Sequence, residues 1–217
     1  MKKSVVVVYY SFSTQTAKLV HRLRKGFRQA GFEVETLKIV PEKELSFPLY
    51  SIPKTIFMMI TTFLRKRIGI RPVDKRLIES ANLVVIAGPT WSYNPSGPIL
   101  DFLDRYSNLL KAKDVLPVIS CRKYWRAHFN YLKGKIESAG GRCMGPIVFT
   151  HNIKEPWSTV GTFMTIAGIN PRSFAFMRRY YPRYGHNHEQ LKQMEQQART
   201  LAMRLYKRQG EPTSPDL

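Results

Sequence analysis

The sequence predicts an α/β protein: a three-layer sandwich with a five-stranded parallel sheet and helices on both faces. Three observations carry that expectation. Val5-Val6-Val7-Val8 and Leu83-Val84-Val85-Ile86 are unbroken aliphatic runs, the pattern of strands buried on both faces. Runs of strand length alternate with segments of helical spacing, the chain order of right-handed β-α-β units. The first run also passes through a short hydroxyl-rich segment directly into a helix with apolar Leu19, Val20, Leu23 and Phe27.

Length and charge bound the answer. At 217 residues the chain suits one well-buried core with insertions better than two full domains. Residues 1–208 therefore read as a single domain, with insertions at about 41–72 and 150–185 and a disordered tail over 209–217. Its 35 Lys and Arg against 15 Asp and Glu give a net charge of +20, which implies attraction to something anionic: a phosphate cofactor, an acidic lipid surface or a nucleic acid. Cys121 and Cys143 have neither metal-site nor C-x-x-C spacing, so a reducing cytoplasm is the default compartment. Met1-Lys2-Lys3 and the valines imitate a signal peptide, but Ser11, Ser13, Thr14 and Gln15 interrupt the apolar stretch too early. No run reaches the roughly eighteen apolar residues of a spanning helix, so the chain reads as soluble or peripheral to a membrane's inner face.

Each element follows in order. After the first helix, Ala30-Gly31-Phe32 is a stop, and Glu33 to Val40 alternates as an edge strand with one exposed face. A helix over about Lys54 to Arg67 is apolar on much of its circumference and cationic at its carboxyl end. Its apolar residues suit either a cover for the sheet or a dimer partner, or an anchor in the acyl boundary of an anionic membrane. Asp74 to Ser80 is a short helix or turn, Asn82 to Gly88 a doubly buried strand, and Pro89 to Pro98 a rigid aromatic loop. A helix follows from Ile99 to Leu109, then a strand Val115 to Ser120, in which Pro117 is awkward for a central position. The last units are a helix ending near Ala139-Gly140-Gly141, a fifth strand Cys143 to Phe149, and a helix from Glu189 to Lys207. Between them, Thr150 to Gly185 interleaves aromatics with Arg178, Arg179 and Arg183. No recognised nucleic-acid module accompanies it, and a lid, a membrane face or an oligomer face is favoured over RNA binding. His186-Asn187-His188 has no evident third metal ligand and reads as solvated or capping.

In such sheets ligands bind beyond the carboxyl ends of the strands, at the switch in winding direction. Three loops converge there: Ser11 to Thr16, Pro89 to Asn94, and Ser120 to Trp125. A helix amino terminus flanked by the hydroxyls of Ser11, Ser13, Thr14 and Thr16 suits a phosphate, although Ser13 or Thr14 could instead only cap the helix. Neither G-x-G-x-x-G nor G-x-x-x-x-G-K-[ST] fits the segment, which disfavours dinucleotides and nucleoside triphosphates.

Ser11-Phe12-Ser13-Thr14-Gln15-Thr16 resembles the flavodoxin-like phosphate loop [ST]-x-[ST]-G-x-T, with Thr14 where glycine is usual. Gly88-Pro89-Thr90-Trp91-Ser92-Tyr93-Asn94-Pro95 is similar to that family's second flavin loop, and Cys121-Arg122-Lys123-Tyr124-Trp125 is similar to a C-R-x-x-W element in a branch whose members include proteins labelled dialkylresorcinol-condensing enzymes. The resemblance implies strand order 2-1-3-4-5 and FMN as cofactor. Its phosphate would lie on Ser11, Phe12, Ser13, Thr14, Gln15 and Thr16. Its ring would lie against Pro89, Thr90, Trp91, Ser92, Tyr93 and Asn94, with Ser120, Cys121, Arg122 and Trp125 near the pyrimidine. It further implies an oxidoreductase whose redox chemistry belongs to the flavin, with no catalytic side chain and NAD(P)H among the candidate donors. Ordinary flavodoxins are acidic, so the basic charge suits instead a reductase of a quinone or other lipophilic acceptor near a membrane, with a homodimer also open. The competing reading is a cofactor-less binding or assembly module on an anionic surface. A condensing enzyme would need Cys121 as nucleophile, a residue that suits a buried small hydrophobe better.

Overall fold

The computed structural model describes residues 3–208, so the tail expected over 209–217 lies outside the described residues. In chain order the elements are β1 (Ser4–Tyr9), α1 (Gln15–Gln29), β2 (Glu33–Lys38), α2 (Ile52–Phe63), α3 (Lys75–Glu79), β3 (Leu83–Trp91), β4 (Asn94–Pro95) and α4 (Gly97–Tyr106). There follow β5 (Asp114–Cys121), α5 (Arg126–Ser138), β6 (Arg142–Cys143), β7 (Ile147–Thr150), α6 (Trp157–Ile166), α7 (Ala175–Tyr180) and α8 (His188–Arg208).

The sheet runs β2-β1-β3-β5, with β6 and β7 both parallel to β5 on its far side. This is the expected order 2-1-3-4-5, with the last row in two pieces. The expected continuous strand Cys143 to Phe149 breaks at Gly145-Pro146, where proline has no N–H to offer a ladder. The gap stands opposite Leu116 and Pro117, between the residues of β5 that pair with β6 and those that pair with β7. Pro117 therefore sits in an interior strand where its missing donor meets an interrupted neighbour.

Alternation along the strands divides the core into two layers. Val5, Val7, Leu83 and Val85 face α1 and α8, where Leu19, Leu23, Phe27, Met194 and Ala198 are buried. Val6, Val8, Val84 and Ile86 face α3, α4 and α5 through Ile78, Ile99, Phe102, Leu103, Leu132 and Ile136. Each such side chain contributes about 1.5–3 kcal/mol of transfer free energy.

Two elements differ from expectation in ways that matter for the site. Helix α2 is capped by Ser51 Oγ, which accepts from Lys54 N at 3.3 Å, and ends at Phe63 rather than Arg67 because Arg65 turns left-handed at φ 55°. Strand β3 continues through Pro89, Thr90 and Trp91, which sequence reading placed in a loop. It then reverses through Ser92 and Tyr93, both at positive φ (43° and 73°), to pair antiparallel with β4.

Candidate functional site

The order β1-β3-β5 puts the carboxyl ends of three neighbouring strands at one rim, so the three expected loops do gather. Phe12 lies edge-on to Trp91 with ring centroids 5.3 Å apart, joining the first loop to the second. Tyr93 and Tyr124, centroids 5.2 Å apart, join the second to the third.

At the first loop Thr14 holds φ 64° and ψ −10°, the left-handed conformation that glycine adopts without cost. A β-branched residue there stores about 1–3 kcal/mol. The side chain of Thr14 makes no cap bond to the helix; Ser11 Oγ serves instead, accepting from Ala17 N at 3.2 Å. Among the described residues no hydrogen bond uses the backbone N–H of Phe12, Ser13, Thr14, Gln15 or Thr16. Consecutive unpaired donors at a helix amino terminus form an anion cradle. Ser13 is half-buried and Thr14 exposed, so the cradle is open to a ligand, whereas Gln15 and Thr16 are buried.

The second insertion folds against this loop. Tyr184 Oη donates to Ser13 Oγ at 2.9 Å, and His186 N donates to Gln15 Oε1 at 3.0 Å. A Cβ on Gly185, at φ +84°, would lie 2.1 Å from Gln15 Oε1, so only glycine permits that approach. Phe47 of the first insertion bridges Phe12 (5.1 Å) and Tyr184 (6.0 Å). Burial and the Ser13 contact act in opposite senses on the Tyr184 phenol, and burial prevails, raising it to about 12.

Beside the second and third loops lies a cavity of about 750 Å³. Thr90, Trp91, Ser92 and Tyr93 form one wall and Arg122, Lys123 and Tyr124 another; α2 and α6 complete it with Met59, Phe63, Leu64, Val160, Phe163 and Ile166. Arg122 Nε lies buried 3.6 Å from Glu155 Oε1, and neither atom has a hydrogen-bond partner among the described residues; Glu155 Oε2 instead accepts from Thr159 N (3.1 Å) and Oγ1 (2.6 Å). The site therefore holds a guanidinium with unused hydrogen-bonding capacity at a cavity wall.

Several expected site residues have other employment. Asn94 does not line the cavity: its Nδ2 donates to the carbonyls of Thr62, Phe63 and Ser92 and its Oδ1 accepts from Arg65 Nε, tying down the end of α2. Ser120 Oγ is 2.8 Å from His186 Nε2 in the interior, and His186 is buried rather than solvated as its place before a helix suggested. The capping role belongs to its neighbour, since Asn187 Oδ1 accepts from Gln190 N at 2.8 Å. Cys121 is buried, and burial pushes its thiol up to about 12 despite Arg122, which leaves no thiolate for nucleophilic chemistry. Trp125 packs on Phe129, outside the large cavity. Thr90 Oγ1 is 2.7 Å from Nδ1 of buried His128, whose pKa burial lowers to about 3, so the imidazole is neutral. For α6 a lid over the site was among the readings of the second insertion; the wall contributed by α2 was missed, its only sequence signal being an apolar segment without strand or core periodicity.

No family model and no curated protein matches the sequence. Solved structures do match the coordinates. An archaeal flavodoxin aligns with TM-score 0.55 and 12% identity over 94% of this chain and 99% of its own. A flavoprotein from Lactobacillus acidophilus NCFM, solved in complex with FMN, aligns with TM-score 0.54 and 20% identity over 68% of this chain and 93% of its own. The Flv1 flavodiiron core from Synechocystis sp. PCC6803 aligns with TM-score 0.53 and 14% identity over 94% of this chain and 36% of its own. With the strand order and the three gathered loops, these matches establish that the chain has the flavodoxin-like fold.

Proposed function

We propose that this chain binds FMN and works as an oxidoreductase toward a lipophilic acceptor of the quinone class. The observation that carries the reading is the row of unpaired N–H groups from Phe12 to Thr16, with Thr14 in the conformation of the glycine it replaces. The fold is that of the Lactobacillus flavoprotein solved with FMN.

The residues divide the work. Ser11 fixes the start of α1, and the N–H groups of Phe12 to Thr16 with the Ser13 and Thr14 hydroxyls would hold the phosphate. Trp91 and Tyr93 line the wall that a flat ligand would meet, and Arg122, beside Glu155 at 3.6 Å, would supply a cationic donor to a flavin that gains negative charge on reduction. When bound, FMN supplies hydride and one-electron transfer through its own ring. Helices α2 and α6 keep water from that ring and present an apolar approach, which suits a lipophilic acceptor over a charged one.

The competing reading is a protein of this fold without cofactor, serving as a binding module on an anionic surface. The contact of Tyr184 with Ser13 favours it, because the chain's own insertion already engages the phosphate loop. The purified protein decides. Flavin absorbance, or uptake of added FMN with riboflavin binding at least about tenfold more weakly, supports the first reading through its phosphate cradle. A colourless protein that takes up neither supports the second. Reoxidation of the dithionite-reduced holoprotein by a lipophilic quinone tests the acceptor class.

A further inference from the structure

Helix α2 is inverted with respect to an ordinary surface helix. Its only buried residues are Thr55 and Thr62, while Ile52, Ile56, Phe57, Ile60 and Phe63 are exposed, Phe57 at 61% and Phe63 at 62%, with Leu64 just beyond at 72%. Soluble proteins rarely leave so many large apolar side chains together in water, and such patches mark interaction surfaces. The patch continues on the second insertion. Trp157 at the start of α6 stacks on Tyr180 (4.7 Å) and meets Phe176 (6.1 Å), and Phe174, Phe176, Tyr180 and Val160 are exposed. The two insertions touch, Leu49 N donating to Ile166 O at 2.8 Å.

The face is bordered by positive charge. The two insertions, 41–72 and 150–185, carry eleven Lys and Arg against three Glu. Lys54, Lys66, Arg172, Arg178, Arg179 and Arg183 are exposed and have no carboxylate partner among the described residues, whereas Arg67 is engaged by Asp104 at 2.7 Å. A second copy would bring the same cations against one another, so self-association on this face is opposed by its own charge. An apolar helix edged by cations matches an anionic lipid surface, with rings in the acyl boundary and cations among headgroups.

The cavity opens on the same face. Met59, Ile60, Phe63, Leu64 and Val160 both line it and are exposed, so they form its mouth. We propose that α2, α6 and α7 dock the protein on an anionic membrane surface, with the cavity mouth turned toward the acyl region. The docking stands without a cofactor; that the mouth admits a membrane-dissolved acceptor rests on the redox reading above.

The test uses the full chain, with and without added FMN, and sedimenting vesicles. One set contains equal parts phosphatidylglycerol and phosphatidylcholine, the other phosphatidylcholine alone. We expect co-sedimentation with the anionic vesicles at low salt, falling at least about tenfold on neutral vesicles or at high salt. The triple variant Ile52→Ser, Ile56→Ser, Phe57→Ser is expected to lose binding by a similar factor while keeping the parent's thermal melt and FMN uptake, since it removes only exposed side chains that do not line the cavity. In Ile60→Trp, brominated lipids should quench the added fluorescence relative to the parent. Lack of binding to anionic vesicles at low salt overturns the proposal. So does binding without quenching at position 60, which would mean headgroup attraction alone. A dimer dissociated by the triple variant would make a second copy the occupant and equally overturn it. A colourless protein that still binds vesicles would remove the redox reading and leave the docking intact.

Discussion

Helices α1 and α2 follow the first two strands, interior β1 and edge β2, yet they treat their apolar residues in opposite ways. Helix α1 buries Leu19, Val20, Leu23 and Phe27 between the sheet and α8, and shows water Lys18, His21 and Lys25. Helix α2 shows water Ile56, Phe57, Ile60 and Phe63 and buries two threonines, whose hydroxyls turn back on its own carbonyls or to Ser92. The lesson is that apolar content and core membership are separate properties. The fold is stabilised by α1, and α2 is held by caps and polar ties such as Asn94, which leaves its apolar face free for another use.

Acid should act most strongly, and through the buried core, to which α1 belongs, rather than through α2, which carries no histidine. Burial lowers the pKa of His128 and His186 to about 3 and of His151 to about 4, from an ordinary 6.5. The folded state therefore binds fewer protons than the unfolded one between roughly pH 6.5 and 4, and stability falls as pH falls through that window. Urea midpoints across it should drop steeply, and His128→Gln should flatten the curve. A flat parent curve would show that these imidazoles are not buried neutral. Next in size, Leu23→Ala in α1 should cost about 2–5 kcal/mol by urea unfolding, the range for a fully buried leucine. Gly161→Ala would place a Cβ 2.2 Å from the ring of buried Tyr181, and should cost about 1–3 kcal/mol as α6 is pushed off the second insertion's small core. Smallest of all, Ile60→Ala in α2 should change stability by no more than about 0.5 kcal/mol. If Ile60→Ala cost as much as Leu23→Ala, the contrast between the helices would be wrong.

What the sequence disclosed depended on how local the cause was. The aliphatic runs of β1 and β3 and the helical spacing of α1 are local patterns, so the parallel sheet and the first loop were legible, while the strand order followed only from the resemblance. Thr14 kept its neighbours' motif because the backbone takes the left-handed angle without glycine. The turn at Ser92-Tyr93 was not legible: both residues sit at positive φ without the Asn or Gly that usually signals it, so Trp91 was read as loop rather than strand. His186 could not be read as buried either, because the partner that satisfies it, Ser120, lies 66 positions away. The walls from α2 and α6 depend on how two insertions meet, which no periodicity encodes.

The divided last row of the sheet has a consequence for the life of the chain in a crowded solution. A border of the sheet with one piece of two residues and another of four, parted by Gly145-Pro146, offers no continuous line of free amides on which a stray strand could align. The opposite border, β2, buries Val34 in one core layer and Leu37 in the other and leaves Glu35 and Lys38 exposed, so an approaching strand meets charged side chains. Both margins thus discourage fibril-like addition, which matters for a protein whose stickiest surface must stay uncovered.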